Sequence, residues 1–149
     1  MDAAHFVFAP FLGYLWCFLR MFVKAPSGRK RFNVLGALNA INHEMVVITN
    51  TGYINACSVC EILLKLTQRC GDLPISIVLD NARYQKCKLV QQTAKVFDIE
   101  LLYLPAYSPN LNLIERMWKF VKKKCLYSKY YPDFDSFTTS ILHRLALEK

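Results

Sequence analysis

Three carboxylates occupy positions from which they could act together: Asp2, Asp80 and Glu115. Asp2 would stand on the first strand. Asp80 closes the β-rich run Ile75-Ser76-Ile77-Val78-Leu79, and Glu115 lies at the start of a helix. A hard cation such as Mg²⁺ takes oxygen ligands of this kind. Two such ions, roughly 3.5–4 Å apart, activate an attacking oxygen and neutralise a leaving one in phosphodiester chemistry. No other pattern competes: there is no Gly-rich phosphate loop, GxSxG, HExxH or dinucleotide fingerprint. His5, His43 and His143 are scattered and unlike a ligand set. Each acid also has a purely structural alternative. Asp80-Asn81 could cap a helix or make a turn, Asn112-x-x-Glu115 could be a capping-box variant, and Asp2 could be an ordinary exposed terminal residue.

The elements that must position these acids follow from periodicity. The strand 75–79 is followed by a helix over 84–97, with Leu89, Val90, Thr93, Ala94 and Phe97 inward and Lys86, Lys88 and Lys95 outward. A second strand covers 100–104. The next helix carries Ile114, Met117, Trp118, Val121 and Cys125 on one stripe, with Glu115, Arg116, Lys119, Lys122 and Lys123 on the rest. Right-handed crossovers put the two strands in one sheet, and ligands gather at the carboxyl ends of its strands. Upstream, strands are expected over 5–9 and 14–22, joined by a turn at Pro10-Phe11-Leu12-Gly13, then over 32–40 and 45–49. A helix over 55–69 carries Val59, Ile62, Leu63 and Leu66 on one face and stops at Gly71. A final helix covers 133–147. The order gives an α/β domain, a mixed sheet flanked by helices.

At 149 residues, 54% of them hydrophobic, the chain can bury a core as one domain. Nineteen Lys and Arg against eleven Asp and Glu leave a net charge of +8, which suits a polyanion such as nucleic acid. Six cysteines, at 17, 57, 60, 70, 87 and 125, fit neither a disulfide scaffold nor a zinc module. The lone Cys57-Ser58-Val59-Cys60 reads as small helix residues, and free thiols suit a reducing cytosol. Residues 3–19 are nearly uncharged, but Pro10 and Gly13 interrupt them and His5 lies inside. Seventeen residues is also the short limit of a membrane span, so two buried strands are the better reading. The basic cluster Arg29-Lys30-Arg31 is either a solvated hairpin tip or a phosphate contact.

The segments Met1-Asp2-Ala3-Ala4-His5-Phe6, Val78-Leu79-Asp80-Asn81-Ala82-Arg83 and Leu104-Pro105-Ala106-Tyr107-Ser108-Pro109-Asn110-Leu111-Asn112-Leu113-Ile114-Glu115-Arg116-Met117-Trp118 resemble the three catalytic blocks of DDE transposases, on the bacterial insertion-sequence side of the mariner superfamily. Thirty-four residues separate Asp80 from Glu115, the spacing typical of that branch. The resemblance spans nearly the whole chain as a catalytic domain, 1–149. It implies a ribonuclease-H-like fold, two Mg²⁺ or Mn²⁺ ions held by Asp2, Asp80 and Glu115, and cleavage and strand transfer in DNA transposition. Asn81 and Asn112 match positions that hold the ligands in place. Arg29, Lys30, Arg31, Arg116, Lys119, Lys122 and Lys123 are expected to contact DNA phosphates. The partners implied are double-stranded DNA, as transposon ends and target, and a second copy in the full-length enzyme; no membrane is implied, and the location is the cytoplasm, at the nucleoid. Two departures from the family pattern stand out. Only Met1 precedes Asp2, so the first strand reads as truncated, and no helix-turn-helix region precedes it. A truncated copy and a downstream reading frame both account for this. Other readings are a DNA-binding remnant without catalysis and another ribonuclease-H-like nuclease.

Overall fold

The computed structural model describes residues 1–8, 18–20, 22, 30–71, 73–105, 111–127 and 129–147. Strand β1 (Asp2–Phe8) runs antiparallel to β2 (Lys30–Leu38), which runs antiparallel to β3 (Met45–Asn50). In the first ladder Asp2 faces Gly36 and Phe8 faces Lys30. Strand β2 is the centre of this sheet and is buried almost throughout, which explains its near-continuous apolar run. One face of the sheet, with Ala4, Phe6, Phe8, Phe32 and Val34, packs on Ile114, Trp118, Val121, Phe137 and Ile141. The other face, with Leu35, Ala37 and Ile48, packs on Val59, Ile62, Leu63 and Val90.

Helix α1 (Ala56–Cys70) starts at Asn55, whose side chain accepts from the Ser58 backbone N–H in a capping box. It ends at Gly71, whose φ of 60° lies in the left-handed region that glycine enters without cost. Strand β4 (Ile75–Leu79) pairs in parallel with β5 (Ile99–Tyr103), and helix α2 (Lys88–Val96) makes the crossover. Helices α3 (Leu113–Leu126) and α4 (Phe134–Leu147) complete the chain. The strands form a three-stranded antiparallel sheet and a two-stranded parallel one. The Met1 nitrogen joins them by donating to the Val78 carbonyl at 2.7 Å, beside β1 and β4.

Several expectations need correcting. The first strand begins at Asp2 rather than at residue 5: Ala3 and Ala4, weak strand formers alone, pair with Leu35 and Val34. Of the second expected strand, 14–22, the described residues Phe18, Leu19, Arg20 and Phe22 belong to no strand and are exposed; the others lie outside the described residues. Helix α2 starts at Lys88, not at residue 84. Residues 83–87 instead form turns, with Gln85 N–H donating to the Ala82 carbonyl at 3.0 Å. Leu89 lies in the first turn of α2 and is exposed, while Val90 and Ala94, four residues apart, face the core. Among the described residues no helix is long and apolar enough to cross a membrane.

Candidate active site

Each of the three acids sits at the end of an element. Asp2 opens β1, Asp80 follows the last residue of β4, and Glu115 is the third residue of α3; all three are half-buried. Burial pushes the Asp2 carboxyl above its ordinary range, and the negative charges of Asp80 and Glu115 push it further, against the Ala3 backbone N–H and the Met1 amino group. Asp80 and Glu115 therefore both lie within electrostatic reach of Asp2, although far from it in sequence.

Met1 is the node that holds them there. It is buried. Its nitrogen donates to Val78, two residues before Asp80, and its carbonyl accepts from Asn112 Nδ2 at 3.4 Å, three residues before Glu115. Burial lowers the Met1 amino pKa to about 6, partly offset by the Asp2 and Asp80 charges. Asn112 is buried at the N-cap of α3, yet its side chain does not cap the helix. The capping-box alternative for Asn112 and Glu115 therefore fails, because the Asn112 amide is directed to Met1. Asn81 donates to the Leu104 carbonyl at 2.6 Å, tying the loop after β4 to the end of β5. Asp80 Oδ1 accepts the Ala82 N–H at 3.4 Å, so the turn alternative for Asp80 is realised in part and leaves its other oxygen without a turn partner.

Three carboxylates match the oxygen-only donor set of a hard divalent cation. Among the described residues no three His, Cys, Asp or Glu side chains stand close enough together to hold an ion as they are. The donor chemistry of the three side chains fits such an ion.

Tyr84 and Gln85 were not singled out from the sequence. Tyr84 is half-buried, and its phenol is pushed above its ordinary range by burial, with Asp80 and Asp2 adding to the shift. It therefore borders the site. Gln85 is fully buried; its Nε2 donates to the Tyr84 hydroxyl at 3.3 Å and its backbone carbonyl accepts from the Tyr103 hydroxyl at 3.2 Å. The only sequence signal was position, four and five residues after Asp80, where the expected helix concealed it.

The expected phosphate contacts fall into two groups. Arg116, Lys119 and Lys123 are exposed on α3, on the helix that carries Glu115, and the Lys122 ammonium lies 5.9 Å from the Phe6 ring centroid. Lys30 and Arg31 stand at the other end of the β1–β2 ladder, about 20 Å from Asp2 at ~3.4 Å per residue. Arg29 lies outside the described residues.

Solved structures with this fold include the Mos1 transposase paired-end complex with left transposon end, at a TM-score of 0.70 and 16% identity over 97% of this chain and 46% of that one. The Mos1 mariner paired-end complex with Mn matches at 0.72 and 17% identity, over 97% of this chain and 46% of that one. The catalytic core domain of BIV integrase matches at 0.55 and 15% identity, over 78% and 72% of the two chains. The fold is therefore the ribonuclease-H-like one of transposase and integrase catalytic cores. The chain spans about half the length of the Mos1 chains it matches. Among curated proteins, none matches in sequence. A family model, DDE superfamily endonuclease, matches residues 20–138, a span that contains Asp80 and Glu115 and leaves Asp2 ahead of it. The chain belongs to the DDE superfamily endonucleases.

Proposed function

We propose that this chain is the catalytic domain of a DNA transposase, cutting the DNA strand at the element end and joining it to target DNA. The observation that carries the reading is the placement of Met1, which donates to Val78 beside Asp80 and accepts from Asn112 at the start of the helix that holds Glu115, so that Asp2 stands between them. In this reading Asp2, Asp80 and Glu115 hold two Mg²⁺ or Mn²⁺ ions. Bound there, the ions would activate the attacking oxygen and neutralise the leaving one. The chain's own part is to aim the ligands. Asn112 and the Met1 peptide fix Asp2 between β4 and α3, and Asn81 fixes the exit of β4. Arg116, Lys119, Lys122 and Lys123 present positive charge along α3 beside Glu115, suited to the backbone of double-stranded DNA. The substrates are transposon ends and target, the full-length enzyme works as a homodimer, and the place of action is the nucleoid in the cytoplasm. The likeness to transposase–DNA complexes supports the DNA reading through fold.

The second reading is a DNA-binding remnant without catalysis, which the exposed basic residues Arg116, Lys119 and Lys123 of α3 would serve on their own. Nicking of supercoiled plasmid separates the two. The catalytic reading expects nicks in Mg²⁺ or Mn²⁺ from the wild type and none from Asp80→Asn. Nicking by neither, with DNA binding retained, leaves the remnant. In both readings log affinity for duplex DNA falls with log salt at a slope of about −0.9 per phosphate neutralised; salt-independent binding contradicts both.

A further inference from the structure

At the end of the β1–β2 ladder remote from Asp2, an open pocket of about 680 Å³ is lined by Lys30, Arg31, Thr51, Gly52, Tyr53 and Phe134. The volume lies within the ~300–1,000 Å³ usual for small-ligand sites. Its lining joins two cations to an aromatic ring with 84% of its surface exposed, that of Tyr53. Neither Lys30 nor Arg31 forms an ion pair with a described residue. The Lys30 ammonium rests 5.5 Å from the centroid of Phe134. Asp133, next to Phe134, has its carboxylate occupied by the Ser136 N–H and hydroxyl.

The loop that carries Tyr53 is held from below. Asn33, on the central strand, is 1% exposed, and its side-chain amide is directed at the 50–53 loop. Its amide donates to the Gly52 carbonyl at 2.5 Å and to Asn50 Oδ1 at 3.1 Å, and its Oδ1 meets His5 Nδ1 at 2.6 Å. Asn50 in turn donates to the Tyr53 carbonyl at 3.1 Å. A buried asparagine is a costly choice for a core strand unless its bonds are made. Here they fix residues 50–53, so the exposed ring is presented on a rigid support beside the cations. An aromatic platform flanked by positive charge is the arrangement that takes an unstacked base and its phosphate. A duplex backbone would use the cations and leave the ring idle.

We propose that this pocket binds one unpaired nucleotide of DNA, with its phosphate on Lys30 and Arg31 and its base on the Tyr53 ring, about 20 Å from Asp2 along β1. The proposal rests on the DNA reading of the chain and adds a second point of grip, selective for strands that are locally open.

The test is fluorescence anisotropy of the full chain with a short labelled oligothymidine and with a blunt duplex of the same length, in the absence of divalent metal. Tyr53→Ala should weaken oligothymidine binding roughly 5- to 100-fold and leave duplex binding unchanged; Tyr53→Phe should bind both as the wild type does. Arg31→Ala should weaken oligothymidine binding and lower its salt slope by about 0.7. Tyr53 is exposed, so these variants fold. Unchanged oligothymidine binding by Tyr53→Ala, or an equal loss for duplex and oligothymidine, overturns the pocket while the DNA reading stands. A wild type that binds neither DNA overturns both.

Discussion

The Trp118 indole fills the space that a side chain at residue 36 would need: a Cβ on Gly36 would stand 2.8 Å from Trp118 Cη2 and 3.2 Å from Ile114 Cδ1. Gly36 is also the ladder partner of Asp2. The absence of a side chain there lets α3, with Glu115 on it, lie directly against the strand pair that carries Asp2.

Gly36→Ala therefore forces α3, with Glu115 on it, away from the strand pair that carries Asp2. It should cost about 1–3 kcal/mol of stability in urea denaturation, as overpacking does, and weaken Mg²⁺ binding as well. Trp118→Phe in the same chain should recover part of both losses, because the smaller ring frees the space. Independent, additive losses would show that the contact does not set the site.

The bond from Asn112 to the Met1 carbonyl joins the start of α3 to the start of β1. Asn112→Ala removes the donor at a buried position. Stability should fall by about 1 kcal/mol and Mg²⁺ affinity by roughly 10- to 100-fold, read by calorimetric titration. Unchanged metal affinity would mean that Asn112 is packing alone.

Asp2 carries an electrostatic cost in the metal-free protein. A carboxyl whose folded pKa is raised contributes stability that is present below its ordinary value and lost as pH rises through the raised one. At neutral pH the penalty is in force. Asp2→Asn should raise the melting temperature of the metal-free protein by about 2–4 °C per kcal/mol relieved and abolish the rise that Mg²⁺ gives the wild type. A lower melting temperature without metal would show that Asp2 is held by favourable bonds instead.

Asp133 supplies the pH dependence of α4. The Ser136 N–H and hydroxyl bond its carboxylate and hold its pKa below the ordinary range. That contribution is present above the ordinary carboxylate value and lost as pH falls through the depressed one. Thermal melts of wild type and Asp133→Ala should differ near neutral pH and converge in acid. A constant difference across the range would exclude the carboxylate as its source.

Much of the frame that carries the candidate site was legible because it is local. The run Ile75–Leu79 ends on Asp80 as its β-branched residues suggest, and the apolar stripe of α3 puts Ile114, Trp118, Val121 and Cys125 in the core. The family blocks added the pairing of those two acids with Asp2. What stayed hidden depends on contacts between distant parts of the chain. Nothing in the sequence says that Asn112 is directed to Met1, or that Asn33 holds Gly52. Helical periodicity over 84–97 concealed the turn that brings Tyr84 to the acids, since Leu89 mimics a core position. The start of β1 was obscured because Ala3 and Ala4 take their strand conformation from β2.

The central claim is that acids from β1, β4 and α3 form one metal site. Isothermal titration of Mg²⁺ and Mn²⁺ into the wild type, Asp80→Asn and Glu115→Gln tests it most directly, with circular dichroism confirming that all three fold. The account predicts saturable binding by the wild type and a loss of at least about 10-fold in affinity in each variant. Equal affinity in all three proteins would contradict it and return Asp80 to its turn and Glu115 to the first turn of its helix.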